Sequence, residues 1–333
     1  MAEEAATRYA VVTGSNKGIG FETVRPLASK GVKVVLTARD EKKGLEAVQK
    51  LKDSGLSDLV LFHQLDVGNP ANIASLADFI NTRFGRLDIL VNNAGIVGAI
   101  VDCHDSLRSI NTNAVYTIVE MEGIYETKSW RVSVCVNRDF CVCVCVCRKG
   151  HQQSLKKPIQ TYESVKARVE TNYYGAKKTA EALIPLLQLS DSPRIVNVSS
   201  SAAKFVVDIP NELVRGVFTD PKNLTEENVE EVLSEFLKDF KEGSLETKGW
   251  GHSSAYVLSK AALNAYTKIL AKRYPSFCIN CVCPGFVKTD INWNTGKVPI
   301  EEGAAHPVRL ALLPKGGPSG LFFVQQELSP FLF

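Results

Sequence analysis

Short apolar runs alternate with amphipathic stretches along most of the chain. Each run is five to seven residues long, as buried strands are, and helical spacing of apolar residues follows it. Strands are predicted at Tyr9–Thr13, Val32–Ala38, Leu59–Leu65, Leu87–Asn92, Arg194–Ser199, Phe277–Cys283 and Gly320–Val324. Helices are predicted from the Gly14–Gly20 turn to Lys30, and over Asp40–Ser54, Asn69–Phe84, Thr161–Leu189 and Ser253–Tyr274.

This alternation predicts a parallel sheet with helices on both faces. We expect an α/β fold: a single doubly wound, Rossmann-type domain over residues 8–324, with six to seven mostly parallel strands. In such a fold, ligands bind at the carboxyl ends of the strands. Residues 204–249 interrupt the alternation. They contain a capping box, Thr225 followed by Asn228, and a helical run rich in Glu and Leu, Glu226–Phe240. They predict a helical lid beside the substrate pocket, or alternatively a surface insertion that only covers the sheet edge.

A second interruption, residues 102–158, is low in complexity and contains alternating Cys and Val at Cys141–Cys147. A TGTG repeat translated in frame encodes that alternation. Two explanations are open: translated non-coding sequence, such as a retained intron, or a genuine β-rich insert. An exposed ribbon of this composition would be prone to aggregate, which favours the first explanation. Sequencing the transcript across codons 120–158 distinguishes them.

Composition narrows the class of partner. A net charge of +3 over 333 residues gives no reason to expect nucleic acid, and no apolar run is long enough to cross a membrane. The acidic start, Met1–Glu4, does not resemble a secretory signal, so we expect a cytoplasmic protein without disulfides. The nine cysteines contain no repeated Cys-x-x-Cys pair, and no metal site is predicted.

A glycine-rich turn, TGSNKGIG, follows the first predicted strand and opens the first helix. Glycines let the backbone approach a pyrophosphate, and a helix N-terminus supplies amide donors and partial positive charge. We expect a dinucleotide to bind there, through Gly14, Asn16, Lys17, Gly18, Ile19 and Gly20.

The end of the second strand indicates which dinucleotide binds. NAD-binding domains usually carry an acidic residue there, whereas this chain has Arg39. A guanidinium can form a forked contact with a 2′-phosphate, and Lys17 can add charge. Lys43 is a weaker candidate, since a solvated surface cation is its ordinary role. The pattern favours NADP(H).

Polar residues end other strands and the last long helix. Asp66 and Val67 end the third strand, and the NNAG sequence that contains Asn93 ends the fourth. Tyr256 and Lys260 lie four residues apart, so both project from one helical face. A nearby ammonium favours the phenolate and would lower the pKa of Tyr256, which makes proton transfer feasible. Ser200 follows a strand and could hold a substrate carbonyl oxygen.

In this order, the motifs resemble the short-chain dehydrogenase/reductase family. TGSNKGIG, NNAG, VNVSS, YVLSK and PGFVKTD carry the resemblance, which covers about Tyr9–Val101 and Gln160–Phe323. The insert at 204–249 is similar to that of the carbonyl-reductase branch, in particular the plant menthone/neomenthol and salutaridine reductases. One plant enzyme of this branch reduces a carbon–carbon double bond and has Glu in place of the tyrosine, so Tyr256 favours carbonyl chemistry.

The resemblance implies further site residues. Asn172 would complete a tetrad with Ser200, Tyr256 and Lys260 and hold a water linked to Lys260, although it lies further from NNAG than is usual in the family. The family's serine maps onto Ser200, with Ser199 one place away. Cofactor contacts map onto Asp66, Val67, Asn93, Tyr256, Lys260, Val287 and Thr289.

The predicted reaction is NADPH-dependent reduction of a ketone or aldehyde to an alcohol, with the proton from Tyr256. By resemblance, the substrate is a small molecule of the menthone type and the protein a monomer. The alternative is a catalytically impaired NADP(H)-binding protein, disabled by the insert at 102–158.

Overall fold

A mostly parallel sheet of eight strands forms the centre of the protein. The computed structural model describes residues 7–97, 133–134, 144–145, 161–250, 254–292 and 294–330. The sheet strands are β1 (Tyr9–Val12), β2 (Lys33–Ala38), β3 (Val60–Gln64), β4 (Ile89–Asn92), β7 (Arg194–Val198), β8 (Cys278–Cys283), β9 (Phe322–Val324) and β10 (Glu327–Leu328). Two dipeptide strands, β5 (Ser133–Val134) and β6 (Val144–Cys145), pair antiparallel with each other. Apart from these two dipeptides, the insert at 102–158 lies outside the described ranges, and so does the choice between translated non-coding sequence and a genuine β-rich insert.

The strand order is β3-β2-β1-β4-β7-β8-β9-β10. All neighbours pair in parallel except β10, which folds back antiparallel on β9. The fold prediction is confirmed, with one strand more than expected, because a dipeptide strand carries no readable hydropathy pattern. The order reverses between β1 and β4, and this switch point is where doubly wound sheets bind ligands, beyond the carboxyl ends of the strands.

Helices cover both faces of the sheet. The helices are α1 (Gly18–Ser29), α2 (Glu41–Leu51), α3 (Pro70–Phe84), α4 (Tyr162–Val169), α5 (Ala176–Leu187), α6 (Glu212–Phe218), α7 (Glu226–Glu242), α8 (Ser254–Arg273) and α9 (Ile300–Ala311). One hydrophobic cluster packs α1, α2 and α9 against one face, and the other packs α3, α4, α5, α7 and α8 against the opposite face. None of the helices in the described ranges combines the length and apolar character that a membrane span needs.

Two helical regions depart from the sequence prediction. The expected helix over Thr161–Leu189 is interrupted by a π-helical turn, Glu170–Gly175, between α4 and α5. Helix α9 was not predicted, because Gly303 and Pro307 lie inside it and both disfavour helix interiors. The helix forms because tertiary packing outweighs its weak helix propensity. Gly303 packs directly against Val287, and a Cβ at Gly303 would lie only 2.4 Å from Val287 Cγ2.

The 204–249 insert forms part of the core. As predicted, Thr225 caps α7 by accepting a hydrogen bond from the Asn228 amide at 3.2 Å. The buried side chains of α7 belong to the same cluster as α4 and α8; they are Val229, Val232, Leu233 and Phe236. At its end, the Trp250 indole donates to Asp239 Oδ2 at 2.8 Å. The insert therefore packs against helices on one face instead of only covering the sheet edge.

Candidate active site

The glycine-rich turn is held in a conformation that requires glycine. Gly14 and Gly18 have φ values of +59° and +58°, which side chains with a Cβ rarely adopt. Lys17 is the N-cap of α1, and no side chain in the described ranges caps the first amides of that helix. These amides therefore remain available to an anion.

Asn93 locks the turn from β4. Its Nδ2 donates to the carbonyls of Thr13 at 2.9 Å and Gly14 at 3.0 Å. A Cβ at Gly20 would lie 2.4 Å from that same Nδ2 and 2.8 Å from the Gly14 carbonyl oxygen. The predicted cofactor residue Asn93 thus shapes the cradle with its amide nitrogen.

The three predicted cations differ in their surroundings. Arg39 is exposed at the end of β2, and no acidic side chain of the described residues pairs with it. Lys17 forms an ion pair with Asp290 at 2.7 Å, and Lys43 pairs with Asp40 at 3.6 Å. Exposed pairs of this kind are weak, so a phosphate could still compete for Lys17. Arg39 is the cation best placed for an added anion.

The remaining predicted cofactor residues line the same edge. Asp66 Oδ1 accepts from the Gly68 amide at 2.9 Å, and the buried Val67 packs on the π-helical turn, where a Cβ at Gly175 would lie 2.7 Å from its Cγ2. The segment after β8 reaches the glycine-rich turn, because a Cβ at Gly18 would lie 3.5 Å from Thr289 Cγ2. Val287 and Thr289 are both buried.

Ser200 and Tyr256 meet at the carboxyl edge of the sheet. The Ser200 side chain hydrogen-bonds the Tyr256 phenol. Ser199, the neighbouring alternative, is buried and directs its hydroxyl to the Lys260 carbonyl at 3.4 Å. Burial raises the pKa of Tyr256 to about 12, against the lowering effect of the Ser200 hydrogen bond. The pKa shift is therefore opposite to the one expected from a nearby ammonium, because desolvation outweighs the favourable contacts.

Lys260 is buried below this pair and donates from Nζ to the Val198 carbonyl at 2.9 Å. Burial lowers the pKa of this lysine to about 8. Asn172 lies fully buried in the π-helical turn, and such turns are frequent at functional sites. Its amide accepts from the Ile96 N–H at 2.8 Å and donates to the Ile96 carbonyl at 2.9 Å.

Gly95, the last residue of the NNAG motif, lies beside both Asn172 and Lys260. A Cβ there would lie 3.3 Å from both Asn172 Oδ1 and Lys260 Nζ. The four predicted catalytic residues therefore converge in the structure. Ser259, which the sequence analysis did not single out, also contacts Asn172, at 3.1 Å from its Nδ2. No metal-binding group of three or more ligand-type side chains occurs in the described part of the chain.

Comparisons with known proteins identify the family. A family model described as short chain dehydrogenase matches residues 8–123 and 243–298. The short-chain dehydrogenase/reductase 1 of Saponaria officinalis is 51% identical over 329 residues, which are 98% of this chain and 97% of that protein. The (+)-neomenthol dehydrogenase of Capsicum annuum is 50% identical over 336 residues, which cover 99% of this chain and 100% of that protein.

A solved structure extends the similarity to the fold. Salutaridine reductase from Papaver somniferum matches with a TM-score of 0.78 at 47% identity, over 95% of this chain and 99% of that one. The chain belongs to the short-chain dehydrogenase/reductase family of oxidoreductases, and the predicted family is confirmed.

Proposed function

We propose that this protein reduces a ketone or aldehyde to an alcohol with NADPH. The observation that carries the proposal is the convergence of Ser200, Tyr256, Lys260 and Asn172 beside the glycine-rich turn at the switch point of the sheet. Bound NADPH would supply the hydride. Family membership in a set of named reductases and dehydrogenases gives the impaired-enzyme alternative no support.

Ser200, Tyr256 and Lys260 would bind the substrate oxygen and deliver a proton to it. The hydroxyls of Ser200 and Tyr256 are hydrogen-bonded to each other and would both donate to the substrate oxygen. A phenol with a pKa of about 12 stays protonated at neutral pH, so Tyr256 is ready to give its proton. Lys260, charged below about pH 8, would stabilise the phenolate that remains.

The cofactor fits the cradle on structural grounds. The positive φ of Gly14 and Gly18 and the lack of space for a Cβ at Gly20 leave the backbone of the turn open to a pyrophosphate. The guanidinium of Arg39 is exposed and has no acidic partner in the described part of the chain, so it is suited to a 2′-phosphate, which favours NADPH over NADH.

The names of the relatives support a proposal for the substrate class, and so do two exposed aromatic side chains that are close in sequence to Ser200 and Val287. Phe205 follows Ser200 on the 3-10 helix Ser201–Asp208, and Phe286 lies beside Val287; they are 37% and 45% exposed. Exposed aromatic rings of this kind suit an apolar cyclic ketone of the monoterpenoid type. We expect a monomer, since α7 packs across α4 and α8 and so covers that face.

The direct test follows NADPH absorbance against a panel of cyclic ketones and aldehydes, with NADH in parallel. Steady oxidation of NADPH with at least one ketone supports the proposal. Binding of NADPH without oxidation by any carbonyl compound of the panel would contradict it and favour the impaired enzyme.

Arg39→Ala is expected to raise the KM for NADPH about 10- to 100-fold and to leave the KM for NADH unchanged. One charge-assisted contact contributes about 1.5–3 kcal/mol, and about 1.4 kcal/mol corresponds to a tenfold change. Lys43→Ala is the matched control, because Lys43 is an exposed cation paired with Asp40. Equal changes in both variants, or equal changes for both cofactors, would exclude a specific phosphate contact.

The rate of carbonyl reduction is expected to fall as pH rises through about 8. The Lys260 ammonium is lost in that range, since burial lowers its pKa to about 8. Stability should move the other way: between about pH 8 and 10 the unfolded chain binds more protons at this lysine than the folded chain, so rising pH stabilises the fold. A pH profile of kcat/KM and urea unfolding of wild type and Lys260→Met check both directions. A kcat/KM that stays flat to pH 9.5 would refute the assignment.

A further inference from the structure

A buried hydroxyl on α8 joins three parts of the candidate site. Ser259 has no exposed surface, and its hydroxyl makes two hydrogen bonds. It donates to the Tyr256 carbonyl at 2.9 Å and accepts from Asn172 Nδ2 at 3.1 Å. The same Asn172 amide holds both backbone groups of Ile96. The Asn172 amide and the Ser259 hydroxyl thus connect the loop after β4, the π-helical turn and the start of α8.

We propose that Ser259 is a positioning residue that sets the distance between the π-helical turn carrying Asn172 and the turn of α8 carrying Tyr256. The inference rests on the proposed carbonyl reductase function and deepens it. Ser259 touches neither substrate nor cofactor in this scheme, and acts only through the two residues that it joins.

The Asn172 amide makes three hydrogen bonds: its Oδ1 accepts from the Ile96 N–H, and its Nδ2 donates to the Ile96 carbonyl and to Ser259 Oγ. Both protons of Nδ2 are therefore used. Removal of Ser259 Oγ would leave one of those protons without its partner among fully buried side chains, and the turn would shift to satisfy it. The shift would occur where Asn172 Oδ1 and Lys260 Nζ border Gly95.

The same helix supplies a matched control. Thr267 is also buried, donates its hydroxyl to its own helix at the Leu263 carbonyl, and accepts from a buried asparagine, Asn197 Nδ2, at 2.8 Å. The two hydroxyls have the same kind of partners, but Thr267 lies about three turns beyond Tyr256. Thr267→Val therefore removes an equivalent buried hydrogen bond away from the site.

Ser259→Ala is expected to lower kcat about tenfold, with the KM for NADPH unchanged within a factor of two. Thr267→Val should show a similar fall in Tm and a kcat close to wild type. Ser259→Cys keeps the volume but offers only a weak acceptor, so it should resemble the Ala variant. A wild-type kcat in Ser259→Ala, full activity in Ser259→Cys, or an equal kcat loss in Thr267→Val would overturn the proposal.

A readout independent of turnover separates this proposal from the proposed function. Hydrogen–deuterium exchange of peptides covering Ile96 and Glu170–Gly175 should be faster in Ser259→Ala and unchanged in Thr267→Val, because the Ile96 amide bonds to Asn172. If the wild type reduces no carbonyl compound but this exchange pattern holds, the function fails and the positioning role stands. Unchanged exchange in Ser259→Ala refutes the positioning role whatever the activity.

Discussion

Tyr256→Phe is expected to lower kcat for carbonyl reduction by about 10²- to 10⁴-fold, the usual range for loss of a general acid. The substitution removes the proton that the alcohol oxygen must receive and one of its two hydrogen-bond donors. NADPH binding should persist, since the glycine-rich turn and Arg39 are untouched. Single-turnover kinetics with pre-bound NADPH, followed by absorbance, measures the chemical step directly.

Tyr266→Phe is the control for that substitution. Tyr266 lies on the same helix and is buried, and its hydroxyl has no hydrogen-bond partner among the residues that the structure describes. The same atom is removed from the same element, and turnover should remain at the wild-type level. If Tyr256→Phe also keeps wild-type turnover, the proton comes from another group and the mechanism is wrong.

Gly20→Ala is expected to abolish measurable NADPH binding, with Kd raised at least about 100-fold. Its Cβ would overlap Asn93 Nδ2 at 2.4 Å and approach the backbone at Gly14 O and Ser15 Cα within 3 Å. Backbone atoms cannot swing away as a flexible side chain can, so the turn itself must open. Its amides would then lose the alignment that a pyrophosphate needs.

Gly216→Ala provides the comparison. Gly216 lies in α6, where a Cβ would meet nothing within 4 Å, and alanine favours helices over glycine. It should bind NADPH normally and be at least as stable as wild type. Fluorescence titration with NADPH decides between the two; normal binding by Gly20→Ala would show that the turn does not cradle the cofactor as proposed.

Patterns of local origin were predictable from the sequence. The observed ends of β1 and β2 lie within one residue of the predicted ends. Buried strands and amphipathic helices differ in the spacing of their apolar residues, and that spacing can be read from the sequence. The positions of Tyr256 and Lys260 on one helical face follow from their spacing alone.

Long-range effects were not predictable in the same way. The ion pair of Lys17 with Asp290 joins residues 273 positions apart. The upward pKa shift of Tyr256 depends on how much surface the fold removes from water, which spacing does not encode. The role of Ser259 needs the π-helical turn, whose extra residue per turn has no clear sequence signal.

The double hydrogen bond between Asn172 and Ile96 has a consequence for chain architecture. It fixes the backbone at Ile96, just before residue 98. After residue 160 the chain continues into α4, whose first turn is capped by the hydrogen bond from the Ser164 amide to Thr161 Oγ1. When a loop joins two fixed points of a fold, lengthening it costs mainly loop-closure entropy, about 0.6 kcal/mol for each doubling of its length. The length of this stretch is therefore expected to change at little cost to the candidate site that its two ends adjoin.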